Sequence, residues 1–184
     1  MKSYLFHSML ICQQEGTLVS IYSDKTAPDV FRVGIILDCN IKRIILFCLD
    51  EDGELSGIKL IPTDSVYCIQ YNDMYTKSIQ EKWNKEITIP TSIFQKRSDA
   101  LEALLAHIGE KKKIVSFELQ NSGTWDVSGI ISMIEDDTVV LNALCDDGDD
   151  GICVLSFNAI TEIFVDGHSR DDSTIGAPDD STVE

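Results

Sequence analysis

Two acidic runs are the first residues in the chain whose types and spacing could do chemistry. They are DEDGE at residues 50–54 and DDGDDG at residues 146–151. Calcium takes about six to eight oxygen ligands at fixed offsets, and the EF-hand spacing with its distant bidentate glutamate is absent from both runs. Both separate two apolar stretches at equivalent places in the chain. The sequence therefore predicts solvated hairpin turns and no metal site.

Cysteine and histidine are the next candidates for chemistry. A catalytic thiol needs a neighbouring base, but His7, His107 and His168 share no motif with any of the six cysteines. The cysteines form no C-x-x-C pair, and four lie inside apolar runs, which is typical of reduced, packed thiols. Motifs for a nucleophile elbow, a phosphate loop, a dinucleotide site and a zinc protease are all absent. The sequence predicts no enzyme and no cofactor.

Positive charge gathers with aromatic side chains in one bridging stretch, residues 74–97. The candidate contact residues are Tyr75, Lys77, Lys82, Trp83, Lys85, Lys96 and Arg97. Aromatics interleaved with cations are typical of single-strand nucleic-acid binding. The chain as a whole opposes it, because 15 Lys+Arg against 31 Asp+Glu give a net charge of −16, which repels phosphate. A protein partner or self-association is expected, with RNA as the alternative.

The sequence pattern of the elements that must position these residues occurs twice in the chain. Gly34-Ile35-Ile36 recurs as Gly129-Ile130-Ile131 about 95 residues later, and Gly57-Ile58 recurs as Gly151-Ile152 about 94 residues later. A period this long indicates a domain duplication and not a solenoid repeat. The predicted organisation is a first unit at 1–73, the bridge at 74–97, a second unit at 98–167 and a disordered acidic tail at 168–184.

Each unit is predicted to be a short helix followed by five strands. The helices are expected at 3–14 and 98–109, the second with Ser98 as its N-cap and Gly109 as its stop. Alternating and β-branched runs predict the strands. These are expected at 17–23, 31–39, 42–49, 57–62 and 64–71, and again at 114–120, 125–133, 138–144, 151–157 and 159–165.

This order of elements resembles the Sm-like (LSm) family. The residues that carry the resemblance are a glycine in the second strand (Gly34, Gly129), a glycine opening the fourth (Gly57, Gly151) and a tight turn into the fifth. Another SH3-like barrel family would share the pattern. The resemblance implies a mainly β (α+β) fold of two tandem five-stranded Sm-like or SH3-like barrels, each preceded by a short helix. It also implies self-association by strand edges.

The resemblance further allows the family's RNA pocket to be sought by position. Sm-like proteins carry an Asp and then an Asn in the turn before the third strand. Asp136 stands at the Asp position, but Val139 occupies the Asn position, and the first unit has Ile41 and Ile44 there. The base-binding pocket is therefore expected to be largely missing.

The sequence also supports expectations about the location and the role of the protein. No stretch approaches the roughly 18 apolar residues of a membrane span, and the bulky Ile11 before Cys12 argues against a cleaved leader. A soluble, cytoplasmic protein without a membrane partner is expected. The predicted function is a non-enzymatic binding or scaffold module that mediates protein contacts or self-association. An RNA-binding regulator using the bridge is the alternative.

Overall fold

The protein is mainly β, as predicted. A computed structural model describes residues 4–83, 93–94, 99–145 and 148–165. Its helices are α1 (Tyr4–Glu15), α2 (Met74–Lys82) and α3 (Ala100–Glu110). Its first five strands are β1 (Leu18–Tyr22), β2 (Arg32–Cys39), β3 (Arg43–Leu49), β4 (Leu55–Pro62) and β5 (Cys68–Tyr71). The other five are β6 (Ile114–Leu119), β7 (Val127–Glu135), β8 (Thr138–Cys145), β9 (Gly148–Ser156) and β10 (Ile160–Val165).

All ten strands belong to one open antiparallel sheet. Its order is β5-β1-β2-β3-β4-β10-β6-β7-β8-β9. The prediction of two separate closed barrels is therefore wrong. The physical reason is that the outer edge of β4, which would have to close the first barrel, pairs instead with β10 of the second half. The same pairing also occupies the edge of β10 that would have to close the second barrel.

The two halves of the sheet repeat one strand order. In the first half the fifth strand lies beside the first, giving β5-β1-β2-β3-β4, and in the second half the order is β10-β6-β7-β8-β9. Each half also begins with a helix, α1 or α3. Equivalent strands therefore occupy equivalent places, and the two halves meet head to tail.

The ends of α1 and α3 are set by local signals, but at α3 these differ from the predicted ones. Gly16 follows α1 with a φ of 63°, the left-handed conformation that ends helices cheaply only at glycine. The N-cap of α3 is Asp99, whose carboxylate accepts hydrogen bonds from the backbone of Leu101 and Glu102. The prediction of Ser98 as the cap is therefore wrong, and Ser98 itself lies outside the described residues. The predicted stop is wrong, because Gly109 lies inside α3 and the helix continues to Glu110.

Gly34 and Gly129 have the same structural reason for being glycine. A Cβ at Gly34 would stand 2.1 Å from the carbonyl oxygen of Phe47, and a Cβ at Gly129 would stand 2.4 Å from that of Asn142. Both distances are far below van der Waals contact. A bulge follows each glycine in its strand, between Ile36 and Asp38 in β2 and between residues 131 and 133 in β7. The glycines let the second and third strands of each half approach closely at a bend.

Apolar side chains form two clusters on opposite faces of the first half. The smaller packs α1, through Met9 and Cys12, against the inner face of β1–β4. The larger joins the outer face of the first half to α2, α3 and the inner face of the second half. Strand β3 is buried on both faces, because Ile44 belongs to the smaller cluster and Ile45 to the larger. Burial of both faces explains its continuous apolar run.

The bridge begins as a helix. Asp73 caps α2 by accepting a hydrogen bond from the backbone N–H of Thr76. Residues 84–92 and 95–98 lie outside the described residues, as does the predicted acidic tail. In the part of the chain that is described, no helix is long and apolar enough to cross a membrane.

We predict that Gly34→Ala will lower the free energy of unfolding by about 3 kcal/mol, because overpacking against fixed backbone forces the strands apart. Urea unfolding measured by circular dichroism checks this. Ser56→Ala is the matched control, since Ser56 is exposed on β4 and should change stability by no more than about 0.5 kcal/mol. Equal effects of the two substitutions would contradict the close approach.

Candidate functional site

An ionic triad of one buried and two partly buried side chains lies where the two halves of the sheet meet. In the β4–β10 pairing, Lys59 stands opposite Glu162, and the next strand, β6, places Glu118 beside Glu162. The ammonium of Lys59 donates to the carboxylates of both glutamates, with Nζ 2.9 Å from Glu162 Oε2. Its side chain is 12% exposed, and those of Glu118 and Glu162 are 8% and 16% exposed. One cation therefore bridges three strands across the junction.

Glu118 is the most heavily bonded member of the triad. Besides Lys59, its carboxylate accepts hydrogen bonds from the backbone N–H of Gly123 at 2.8 Å and from the hydroxyl of Thr161 at 3.0 Å. Burial raises the pKa of Glu118, but the hydrogen bonds from Lys59, Gly123 and Thr161 and the charge of Lys59 together lower it by more. Its pKa therefore lies below the ordinary value, and the carboxylate stays charged at neutral pH.

A shallow cleft of about 520 Å³ opens beside the triad. Its charged lining residues are Asp24, Arg32, Lys59 and Glu118, and neither histidine nor cysteine is among the described residues that line it. Lys59 is already engaged by two carboxylates. The described lining of the cleft therefore offers no thiol or imidazole with which to activate a nucleophile.

The pairing of β4 with β10 leaves two other edges open. In the described sheet, β5 has a neighbour only on the β1 side and β9 only on the β8 side. These are the fifth strand of the first half and the fourth strand of the second. They are thus the same two strand types that join at the internal junction. Open edges present unpaired backbone donors and acceptors to any matching strand.

The outer face next to β9 is apolar and exposed. Ile152 is 75% exposed and Val154 is 62% exposed, whereas their counterparts Ile58 and Leu60 in the first half are 2% and 6% exposed. Half of Met133, on β7, is exposed as well. In the first half, the equivalent face belongs to the cluster that includes α2 and α3. No described element covers it in the second half.

The helices that begin the two halves differ in the same way. Ala103 of α3 is 4% exposed, because α3 packs between the first half and the inner face of the second. Its counterpart in α1 is His7, which is exposed, and Tyr4, one turn earlier, is 83% exposed. Ile11, one turn later, is 38% exposed. The side of α1 that matches the covered side of α3 therefore faces solvent.

The four predicted contact residues of the bridge that are described differ in their surroundings. Tyr75 packs edge-on against Phe31 with ring centroids 5.7 Å apart. Trp83 packs on the larger cluster, and Lys82 donates to the backbone carbonyl of Glu51 at 2.8 Å. Lys77 is exposed on α2. Lys85, Lys96 and Arg97 lie outside the described residues, so the bridge as a partner or RNA contact stays a prediction.

Asp136 and the first acidic run are turn residues. Asp136 lies in the exposed turn between β7 and β8 with a φ of 51°, a conformation that aspartate tolerates better than most residues. Asp50 folds its carboxylate back onto the backbone N–H groups of Asp52 and Glu54, each at 2.9 Å. Within the described residues, no group of three or more His, Cys, Asp or Glu side chains is placed to hold a metal.

The junction residues are the functional candidates that sequence reasoning missed. Lys59, Glu118 and Glu162 are scattered through strands whose patterns indicate only burial. A comparison of the two halves position by position would have found them. At the places of Lys59 and Glu162, the other half has Cys153 and Cys68, so the charges belong to one junction and not to the repeated fold.

Neither a protein-family model, nor a curated protein, nor a solved structure matches this chain. The resemblance to Sm-like proteins therefore stays a prediction.

We predict that Lys59→Met will lower the free energy of unfolding by about 3 kcal/mol, because it leaves the buried carboxylate of Glu118 and the partly buried one of Glu162 without their cation. Lys82→Met is the matched control, since Lys82 lies 3.4 Å from an exposed Asp52 carboxylate and an exposed pair contributes about 1 kcal/mol at most. Urea unfolding at neutral pH measures both. Similar losses for the two variants would show that the triad does not hold the junction.

Glu118 should also make stability depend on pH. In the folded protein the pKa of Glu118 lies below its ordinary value of 4.5. Its contribution to the free energy of unfolding is therefore fully present above pH 4.5 and is lost as the pH falls through the folded pKa. Glu118→Gln should therefore destabilise the protein more at neutral pH than at about pH 3. Unfolding curves at both pH values check this. Asp64→Asn, at an exposed turn, should show no such difference, and a constant deficit for Glu118→Gln would contradict the assignment.

Proposed function

We propose that the protein is a non-enzymatic cytoplasmic scaffold that self-associates head to tail, with β9 of one copy pairing with β5 of the next. The observation that carries the proposal is the internal junction. There a fourth strand already pairs with a fifth strand, while in the sheet as described one strand of each kind is left with an open edge. Such a contact joins two different surfaces, so it builds a ring if the rotation closes and a filament otherwise.

Apolar surface at both ends supports this arrangement. At the β9 end, Ile152 and Val154 extend an exposed face, and at the β5 end α1 presents Tyr4 and Ile11 to solvent. At the internal junction the corresponding surfaces are the outer face of the first half and α3, and both are buried in one cluster. Repeating that junction between copies would bury the exposed ends. Exposed apolar patches on a sheet edge are typical of interaction sites.

The thiols fit a reducing compartment. The six cysteines, all of them among the described residues, form no disulfide, and three of them, Cys12, Cys39 and Cys48, are buried. Burial is the main cause that raises the pKa of Cys48, to about 12, so this thiol stays protonated and unreactive. Free cysteines in this number are typical of intracellular proteins, which supports the cytoplasmic location.

Salt separates this proposal from the RNA-binding alternative. Copies with a net charge of −16 repel one another, and added salt screens that repulsion. Self-association should therefore strengthen as salt is raised. Binding to RNA through the bridge should weaken instead, because it depends on counterion release.

We predict that the wild-type chain will sediment as species larger than the monomer in reducing buffer, and that Ile152→Lys will shift it to monomer. A lysine on an exposed edge strand opposes pairing with another strand, and the 75% exposure of Ile152 leaves the fold intact. Sedimentation velocity over a range of protein and salt concentrations is the measurement.

Ile41→Lys is the matched control. Ile41 is 78% exposed in the turn between β2 and β3, neither of which is an edge strand, and its variant should assemble like the wild type. A wild-type chain that stays monomeric at every concentration would overturn the proposal. Larger species that disappear on RNase treatment would instead favour the RNA-binding alternative.

A further inference from the structure

The internal junction defines a register as well as a pair of strands. Lys59 of β4 stands directly opposite Glu162 of β10, and Ile58 stands opposite Ile163. The side chains of the first pair point to the same side, since the Lys59 ammonium reaches the Glu162 carboxylate at 2.9 Å. Any second junction built in this register places the counterparts of Lys59 and Glu162 face to face.

On the β9 side, the counterpart of Lys59 is Cys153. Lys59 pairs with Leu46 of β3, and Cys153 pairs with Leu141 of β8. These residues are related by the same repeat that relates the glycines, about 94 or 95 positions along the chain. The match therefore rests on the observed strand pairing as well as on the sequence.

On the β5 side, the counterpart of Glu162 is Cys68. Glu162 pairs with Glu118 of β6, and Cys68 pairs with Tyr22 of β1. The second junction would thus replace the charged triad by two thiols and a tyrosine. Without the buried charges, it would have neither the ionic bridge nor the desolvation cost of the internal junction.

We infer that Cys68 of one copy and Cys153 of the next lie opposite each other in the assembled protein, and that a thiol oxidant joins them in an intermolecular disulfide. This inference rests on the proposed head-to-tail assembly and specifies its register. Opposed residues in antiparallel strands have Cα atoms about 4.5–5.5 Å apart, which lies inside the range of about 4.4–6.8 Å that a disulfide spans.

Both thiols are accessible for this reaction, and most of the others are not. Cys68 and Cys153 are partly exposed on the two open edge strands, whereas Cys12, Cys39 and Cys48 are buried. Cys145 is exposed at the end of β8, but it is not on an edge strand. In a single copy, β5 and β9 are the two outermost strands of the sheet.

The chemistry needs a two-electron oxidant, and diamide is a suitable probe. The two thiols lose two protons and two electrons as the sulfur–sulfur bond forms. The nitrogen–nitrogen double bond of diamide takes up both and becomes a hydrazine. An assembly joined this way becomes covalent without a change of register, and a thiol reductant releases it.

The test mixes two full-length variants that each keep one of the paired thiols, both in a Cys145→Ser background. Cys68→Ser retains Cys153, and Cys153→Ser retains Cys68. After diamide, neither variant alone should form a covalent dimer, while their mixture should form a dimer and no larger covalent species on a non-reducing gel. The Cys145→Ser parent, which keeps both thiols, should form a ladder or a closed ring, and peptide mass spectrometry should identify the Cys68–Cys153 bond.

The control keeps Cys145 in a chain carrying both Cys68→Ser and Cys153→Ser, and it should stay uncrosslinked, which excludes random collisions of exposed thiols. Dimers from Cys68→Ser alone would show that two β9 strands pair with each other, and an intramolecular bond would show that the edges close within one copy. Either result overturns the inference. Sedimentation in reducing buffer separates failure of the register from failure of the proposed function. If the chain assembles there but diamide does not form the Cys68–Cys153 disulfide, only the register is refuted. If the chain does not assemble, the proposed function is refuted.

Discussion

The antiparallel pairing of β4 with β10 is the contact on which the rest of this structure depends. It converts two five-stranded halves into one ten-stranded sheet. It also allows α3 and the outer face of the first half to share one apolar cluster. A half of about 70 residues buries only a marginal apolar core by itself. Joining the halves by backbone hydrogen bonds and a shared cluster removes that limit.

Lys59 makes this pairing specific. Two carboxylates and one ammonium in a buried site are satisfied only when β4, β10 and β6 lie in one register, since the cation must reach both Glu118 and Glu162. A slip of one residue would turn Lys59 to the other face, into apolar surroundings. In some proteins, polar groups in such a site select one arrangement without adding stability. In this chain the triad distinguishes the internal junction from the open edges.

The open edges follow from the same constraint. Each half of the chain has a fourth strand and a fifth strand with one edge unpaired. When the two halves pair through one fourth strand and one fifth strand, the other fourth strand and the other fifth strand keep an open edge. Soluble proteins usually protect such edges with charges, prolines or bulges. Here β9 instead carries Ile152 and Val154 outward, beside the exposed Met133. These exposed apolar side chains on an open edge of the described sheet are the reason for proposing a role in assembly.

Most of the local structure was determined by the sequence. The repeated glycines, the alternating and β-branched runs and the polar turns predicted all ten strands within a few residues, because each depends on neighbours along the chain or on the close approach at Gly34 and Gly129. Tertiary structure decided how the strands combine. Whether β4 closes a barrel or pairs with β10 depends on long-range contacts of Lys59 with residues about 59 and 103 positions away, and no local pattern encodes them. Burial of Ile58 and exposure of Ile152 arise in the same way, since identical strand positions differ only in what the folded chain places over them.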